Sequence, residues 1–344
     1  MIFDSESVFE DNVITVLKQH GWKDGVLRYP TEQDLLDNWK GILYRNNNDI
    51  DRLGKYPLTD GEMAQIIEQI ETLRTPLALN SFVNGRTVSI TRDNKEDVAH
   101  FGKEISLYIY DRKEIAGGKS TYQIAQQPVY PAKNKMLNSR RGDLVLLING
   151  MPLIHIELKK SGIPVSQATN QIEKYTHEGV FTGLFRLVQI FVAMNPDDAV
   201  YFANPGVDKF NPSYYFHWAD YNNEPICGGQ NPGKDEWKLF IGGTSGTAGL
   251  LSIPMAHQLI GFYTIADSAD GCLKVLRSYQ YIAANAISDV VRKCDWEQRP
   301  ATPGRPGGYV WHTTGSGKTM TSFKSAQLIA DSHDADKVVF LMDR

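Results

Sequence analysis

Asp143-Leu144-Val145-Leu146-Leu147-Ile148-Asn149-Gly150-Met151-Pro152-Leu153-Ile154-His155-Ile156-Glu157-Leu158-Lys159 is the stretch whose reading decides the fold. Two apolar runs, Asp143 to Ile148 and Leu153 to Lys159, flank Asn149-Gly150, the strongest short-range signal for a β-hairpin. Strand alternation sends Glu157 and Lys159 to one face and Ile154, Ile156 and Leu158 to the other. A regular two-residue turn would pair Asp143 with Ile156, leaving its carboxylate on the wrong face from Glu157. A three-residue loop, or one bulge, would pair Asp143 with Glu157. An active site built on these two carboxylates therefore requires an odd loop or a bulge.

Hydrolysis of a phosphodiester needs charge neutralised on the phosphate and a water made nucleophilic. Carboxylates holding Mg²⁺ beside an ammonium group supply both, and Asp143, Glu157 and Lys159 are residues of that kind. An isolated D…ExK pattern is also met where an Asp simply ends a strand and Glu and Lys form a solvated strand face. The flanking sequence bears on the choice.

Upstream, Phe9, Val13, Val16 and Leu17 recur at helical spacing, which predicts a helix from Ser7 to His20 with Ser7 and Glu10 at capping-box spacing. Residues 31–79 read as a polar helical insertion, about residues 30–80. Strands are expected at Val88-Ser89-Ile90, Ile105 to Tyr110 and Tyr122 to Tyr130, as a meander. Downstream of the hairpin, a helix from Pro164 to about His177 carries Gln171 and Tyr175 one turn apart, where their polar tips could orient a metal ligand or meet DNA backbone. A strand from Leu187 to Ala193 follows. The expected order is helix, antiparallel strands, helix, strand.

Glycines cluster between Tyr221 and Gly249, which predicts a linker at 221–250 between a first domain, 1–220, and a second, 251–344. In the second, helical patterning runs through Leu276 to Val291, and a Pro/Gly stretch from Pro300 to Gly308 precedes a short strand at Tyr309-Val310-Trp311. Gly315-Ser316-Gly317-Lys318-Thr319 then opens a helix to about Ala330, and Val338 to Met342 reads as a strand. A loop of that kind between strand and helix cradles phosphates on backbone N–H groups, with Lys318 on the β- and γ-phosphates and the Thr319 hydroxyl on Mg²⁺.

The 344 residues have room for two domains, and 42% hydrophobic with 22% charged residues is a globular composition. A net charge of −4 gives no bulk attraction to nucleic acid, so DNA contact must come from local basic groups such as Arg140, Arg141 and Lys160, or from a bridging metal. No apolar run reaches the length of a membrane span, and Met1 to Glu6 does not begin as a signal peptide does. Cys227, Cys272 and Cys294 lack metal-ligand spacing, which fits a reducing compartment. A cytoplasmic protein is expected.

Gly142-Asp143-Leu144-Val145, Ile156-Glu157-Leu158-Lys159 and Gln171-Ile172-Glu173-Lys174-Tyr175 together resemble the PD-(D/E)xK nucleases of the RecB-like branch, whose cleaving motif is followed by Q-x-x-x-Y. Gly142 stands where the family name has proline. The resemblance implies a restriction-endonuclease-like α-β-β-β-α-β core in an α/β chain. It also implies Mg²⁺ on Asp143 and Glu157, with the Leu158 carbonyl as a further ligand and Lys159 orienting water and stabilising the phosphorane. The family often adds an acidic residue from its first helix, so Glu10 is either catalytic or a helix cap.

His312-Thr313-Thr314-Gly315-Ser316-Gly317-Lys318-Thr319 resembles motif I of superfamily 2 helicases and translocases, with His312 where the general pattern has glycine. Upstream, Leu276-Arg277-Ser278-Tyr279-Gln280 resembles the adenine-reading segment of that superfamily, which implies ATP contacts for Arg277 and Gln280 in a partial RecA-like P-loop domain.

The pairing of the two motif sets, in this order, resembles the restriction (R) subunit of type I restriction-modification enzymes. That family implies cleavage of double-stranded DNA coupled to ATP-driven translocation, inside a complex with methylation and specificity subunits. Its motor subunits are much longer than this chain, which is then expected to be a fragment with weak or absent ATPase activity. Two other readings remain open: a helicase-like ATPase whose N-terminal domain is a non-catalytic DNA-binding or docking module, and an adaptor that keeps ATP binding as a fold switch.

Overall fold

The computed structural model describes residues 2–131, 140–207, 209–229, 235–293 and 308–341. A first unit, Met1–Trp218 with Pro225–Val275, contains α1 (Glu6–Gln19), β1 (Val26–Arg28), α2 (Glu32–Asn46), α3 (Asp60–Thr72), α4 (Pro76–Asn84), β2 (Thr87–Thr91), β3 (Glu104–Tyr108), β4 (Tyr122–Gln126), β5 (Leu144–Ile148), β6 (Met151–Leu158), α5 (Val165–His177), β7 (Ile190–Met194), β8 (Ala199–Ala203), α6 (Glu236–Gly242), α7 (Met255–Gly261), β9 (Thr264–Asp267) and β10 (Cys272–Val275). A second unit, Ala219–Glu224 with Leu276–Arg344, contains α8 (Ser278–Lys293) and α9 (Lys318–Ser332).

A mixed six-stranded sheet in the order β1-β4-β5-β6-β7-β8 forms the body of the first unit. Strands β4, β5 and β6 are antiparallel in sequence, while β6 and β7 are parallel and need the crossover that α5 supplies. All residues of β5, β6 and β7 are buried, as in central strands covered on both faces. On one face Ala168 and Ile172 of α5 pack against Phe191 and Ala193 of β7 and Val200 and Phe202 of β8. Because His155 pairs with Phe191 and Glu157 with Ala193, that is also the face that carries Glu157.

The hairpin turns on two residues, Asn149 at φ 52° and Gly150 at φ 83°, and pairs Ile148 with Met151 and Leu147 with Pro152. The register then shifts, so that Leu146 faces Ile154, Val145 faces His155 and Leu144 faces Ile156. Leu153 is the extra residue. One further step of this register sets Asp143 across from Glu157, the outcome of a two-residue turn with one bulge.

Several expectations change. Helix α1 is capped by Ser5, whose Oγ accepts from the Val8 N–H at 3.2 Å, so the Ser7–Glu10 capping box does not form. Starting the helix at Glu6 puts Ser7 inside its first turn. The insertion is helical as expected, with true capping boxes at Thr31/Asp34 and Thr59/Glu62. The meander is not formed: β2 and β3 pair with each other alone and lay Val88, Ile90, Ile105 and Leu107 toward α2 and α3, while β4 joins the main sheet. Arg92 ties this small hairpin to α3 through a buried ion pair to Glu62 at 2.6 Å and is braced within the hairpin's own loop by Asp97 at 2.9 Å.

Described parts of the glycine-rich stretch from Pro225 onward pack within the first unit. Trp22 Nε1 donates to the Leu251 carbonyl at 2.6 Å, Trp218 Nε1 to Ala248 at 2.8 Å, and Trp237 packs edge-on to Phe3 and Phe9. Gly243 at φ 97° and Gly249 lie where a Cβ would meet backbone at 2.4 Å and 2.3 Å, so these glycines serve close packing. By contacts, Pro225–Val275 groups with the first unit, and Ala219–Glu224 groups with the second, which resumes at Leu276. The expected strands at Tyr309 to Trp311 and from Val338 form no pairing among the described residues, and Trp311 and Leu341 are 88% and 96% exposed. Strand-forming side chains without a partner ladder do not make a strand. Cys294, Met342 and the Pro/Gly stretch before Gly308 lie outside the described residues. Among the described residues no helix is long and apolar enough to cross a membrane.

The tight turn yields a test of the hairpin. A Cβ on Gly150 would lie 2.9 Å from Trp39 Cα, at a positive φ of 83°. Gly150→Ala should therefore lower unfolding stability by about 1–3 kcal/mol in urea denaturation, whereas a change below about 0.5 kcal/mol would contradict this packing.

Candidate active site

Asp143 sits at the start of β5, where its Oδ2 accepts from the Leu158 N–H at 2.6 Å across the hairpin. Glu157 is fully buried, and neither of its carboxylate oxygens meets a hydrogen-bond donor among the described residues. Lys159 Nζ lies 3.6 Å from Glu157 Oε1 and donates to the Leu158 carbonyl at 2.8 Å. Two carboxylates, one backbone carbonyl and one ammonium thus meet at the end of the hairpin.

Burial pushes the Glu157 carboxyl up to about 8, with Lys159 opposing the rise. Asp143 is raised well above its ordinary range, first by burial and then by the charge of Glu157. Like charges this close in a poorly solvated place do not both ionise without a counter-charge. The orphaned oxygens of Glu157 and the all-oxygen donor set fit a hard divalent cation. Among the described residues no group of three or more His, Cys, Asp or Glu side chains is placed to hold a metal.

Helix α1 contributes Glu10, which is buried and accepts from Gln126 Nε2 at 2.6 Å and Gln127 Nε2 at 3.2 Å. Of the two readings of Glu10, the cap is excluded by Ser5. Burial raises its carboxyl, and its charge in turn raises Asp143. From α5, Gln171 Nε2 donates to the Tyr175 hydroxyl at 2.6 Å, and that hydroxyl donates to the Arg141 carbonyl at 3.0 Å. Tyr175 is pushed up to about 12 by burial and by Glu157, which places it in the same electrostatic cluster. Of the three basic residues singled out, Arg140 is held by a two-pronged pair with Glu178, Arg141 lies 5.8 Å from the Tyr29 ring centroid, and Lys160 donates to the Asp4 carbonyl.

Sequence reading overlooked five residues here. Glu6 approaches Lys159 at 3.8 Å, Gln126 and Gln127 hold Glu10, and Tyr130 bonds His155, whose Nε2 is 3.3 Å from Glu157 Oε2. Strand alternation alone would have found His155, two residues before Glu157 on the same face. Glu6 is likewise one helical turn before Glu10.

In the second unit Gly315 and Gly317 both adopt φ 80°, and Gly317 is the residue before α9. Lys318 Nζ folds over the loop onto the carbonyls of Thr313 at 3.0 Å and His312 at 3.4 Å. Thr319 follows on the exposed first turn of α9. Gln280 Nε2 donates to Ser316 at 3.1 Å and Gly317 at 3.3 Å, its Oε1 accepts from the Arg277 N–H, and Arg277 Nη1 reaches the Tyr279 hydroxyl. The segment that the sequence linked to the phosphate loop therefore touches it.

A mixed sheet presenting paired acidic residues and a lysine at a hairpin end, and a glycine loop at a helix N-terminus, are the two candidate sites of this chain. Residues 4–210 match the family described as type I restriction enzyme R protein N terminus, and the chain belongs to that family. Residues 279–344 match the SWI2/SNF2 ATPase family. Across its whole length the chain is 31% identical to the endonuclease subunit of a type I restriction enzyme from Staphylococcus saprophyticus and 32% identical to one from Staphylococcus aureus, in each case over 32% of the relative. It is 26% identical to the type I restriction enzyme EcoprrI endonuclease subunit of Escherichia coli, over 91% of this chain and 99% of the relative. The chain spans about a third of the length of the two staphylococcal relatives.

The buried carboxylates make a pH prediction with a definite sign. Glu157 titrates near 8 in the folded chain and near 4.5 when ordinarily solvated, so its contribution to stability is fully present below about 4.5 and is lost as pH rises through 8. The melting temperature of Glu157→Gln minus that of the wild type, without divalent cations, should grow between about pH 5 and pH 8.5. Parallel profiles would contradict the assignment.

Proposed function

We propose that this chain carries the PD-(D/E)xK nuclease of a type I restriction enzyme R subunit together with the beginning of its superfamily 2 motor domain. The observation that carries the reading is the bulge that brings Asp143 opposite Glu157 while leaving both Glu157 oxygens without a hydrogen bond among the described residues. A purely structural buried carboxylate would be hydrogen-bonded or ion-paired at close range, as Glu62 is to Arg92. A docking module has no use for the arrangement.

In this reading Asp143, Glu157 and the Leu158 carbonyl hold Mg²⁺, which when bound neutralises charge on the scissile phosphate and favours ionisation of water. Lys159, held by the Leu158 carbonyl beside Glu157, orients the attacking water and offsets charge as it develops on the phosphorus oxygens. Glu10, Gln171 and Tyr175 steady the carboxylates and approach the backbone of double-stranded DNA. The substrate class, the methylation and specificity subunits as partners, and a cytoplasmic location follow from the same reading. In the second unit Gly315 to Thr319 take the phosphates of ATP, Thr319 holds its Mg²⁺, and Arg277 and Gln280 face the adenine.

In the assembled restriction enzyme, Asp143→Ala and Lys159→Ala should each reduce cleavage of unmodified DNA by at least about 100-fold while ATP hydrolysis continues. Cleavage retained by both would overturn the nuclease reading. Lys318→Ala should weaken binding of a fluorescent ATP analogue to this chain by at least about 10-fold, and unchanged binding would overturn the nucleotide assignment.

A further inference from the structure

Beside Glu157 the first unit buries a polar pair that the nuclease reading does not use. His155 is fully buried in an aromatic surround, with Phe181 at 5.4 Å and Phe191 at 6.0 Å between ring centroids. Its Nδ1 lies 2.8 Å from the hydroxyl of Tyr130, itself buried against Phe181 and Phe185. Its Nε2 lies 3.3 Å from Glu157 Oε2 without the alignment of a hydrogen bond, and neither atom has another hydrogen-bond partner among the described residues. An imidazole that needed only to fill space would be better replaced by a leucine or phenylalanine in such a place.

Gly142 shows that room is kept for this pair. A Cβ there would lie 2.5 Å from the Tyr130 hydroxyl oxygen and 2.9 Å from His155 Cε1. The position at which the nuclease motif carries proline in its usual form is therefore filled, in this chain, by Tyr130 and His155.

The hydroxyl of Tyr130 can either give its proton to Nδ1 or accept one from it. If it accepts, Nε2 turns a lone pair to the carboxylate, and when Glu157 is ionised, as a cation ligand must be, the contact is repulsive. If it donates, Nε2 carries the hydrogen 3.3 Å from Oε2, and a small rotation of the carboxylate closes the contact into a chain of donors from Tyr130 to His155 to Glu157. Closed in this way, the contact would tie Oε2 from behind and leave Oε1, the oxygen beside Lys159, for the cation.

We propose that Tyr130 and His155 are positioning residues that fix the rotation of the Glu157 carboxylate for cation binding, with His155 as the Nε2–H tautomer. The proposal rests on the reading of Asp143 and Glu157 as cation ligands. Hydrogen bonds to a ligand from behind it hold its orientation and commonly account for about 10- to 100-fold in metal affinity.

Mn²⁺ binding to the 344-residue chain, read by electron paramagnetic resonance and calorimetry, tests the proposal together with the tautomer of His155 by ¹H–¹⁵N correlation spectroscopy of the imidazole. His155→Leu should weaken Asp143-dependent Mn²⁺ binding by about 10- to 100-fold, and Tyr130→Phe should weaken it less. His155→Gln, which can present an amide N–H toward Glu157, should recover most of the loss. With diamagnetic Mg²⁺ bound in place of Mn²⁺, the wild-type imidazole should show its proton on Nε2. Three results would overturn the proposal while leaving the nuclease reading intact: a proton on Nδ1, His155→Leu binding within about twofold of wild type, or no recovery in His155→Gln. Wild-type protein that binds no Mn²⁺ in an Asp143-dependent way would overturn both.

Discussion

A single inserted residue in a strand governs the rest of the candidate site. Leu153 has no partner of its own across the hairpin, and everything beyond it is moved by one position relative to β5. Because side chains alternate with a period of two, that one position transfers Asp143 from the face of Ile156 to the face of Glu157. The turn itself is ordinary, with Asn149 and Gly150 both at positive φ. The bulge sits where a sheet can be re-aimed without breaking its core, in a hairpin whose strands are buried on both sides.

Bringing two carboxylates together inside a sheet works against stability, and the molecule shows both ways of handling buried acids. Glu62 and Asp97 close on the guanidinium of Arg92, so burial there joins α3 to the β2–β3 hairpin. Glu157 is equally buried, yet its neighbours are a lysine at 3.6 Å, an imidazole at 3.3 Å and a second acid, and its carboxyl is held near 8. The first arrangement is complete as it stands, whereas in the second a single ammonium faces two acids and neither Glu157 oxygen is hydrogen-bonded among the described residues. Strain of this kind concentrates where a ligand relieves it.

Much of this was legible in the residues. Asn149-Gly150 placed the hairpin, the alternation of Glu157 and Lys159 placed their shared face, and the requirement for an odd loop or bulge followed from counting positions. The location of the bulge was not legible, because Leu153 resembles its apolar neighbours and nothing in its side chain marks it as unpaired. The capping box at Ser7 was misread because Ser5 offers the same chemistry two residues earlier, and only the packing of α1 chooses between them. The stretch at 221–250 looked like a linker because glycine serves mobile loops and tight backbone contact alike, and Gly243 and Gly249 serve the latter. The apolar segments at Tyr309 and Val338 have strand composition, but pairing is a property of two segments and cannot be read from one.

Diffraction from crystals soaked in Mn²⁺, recorded at the manganese absorption edge, tests the central claim most directly. The account predicts one anomalous peak within about 2.3 Å of oxygens from both Asp143 and Glu157, with the Leu158 carbonyl on the same side and the register shifted at Leu153. Carboxylates on opposite faces of the hairpin, or a peak at neither, would contradict it.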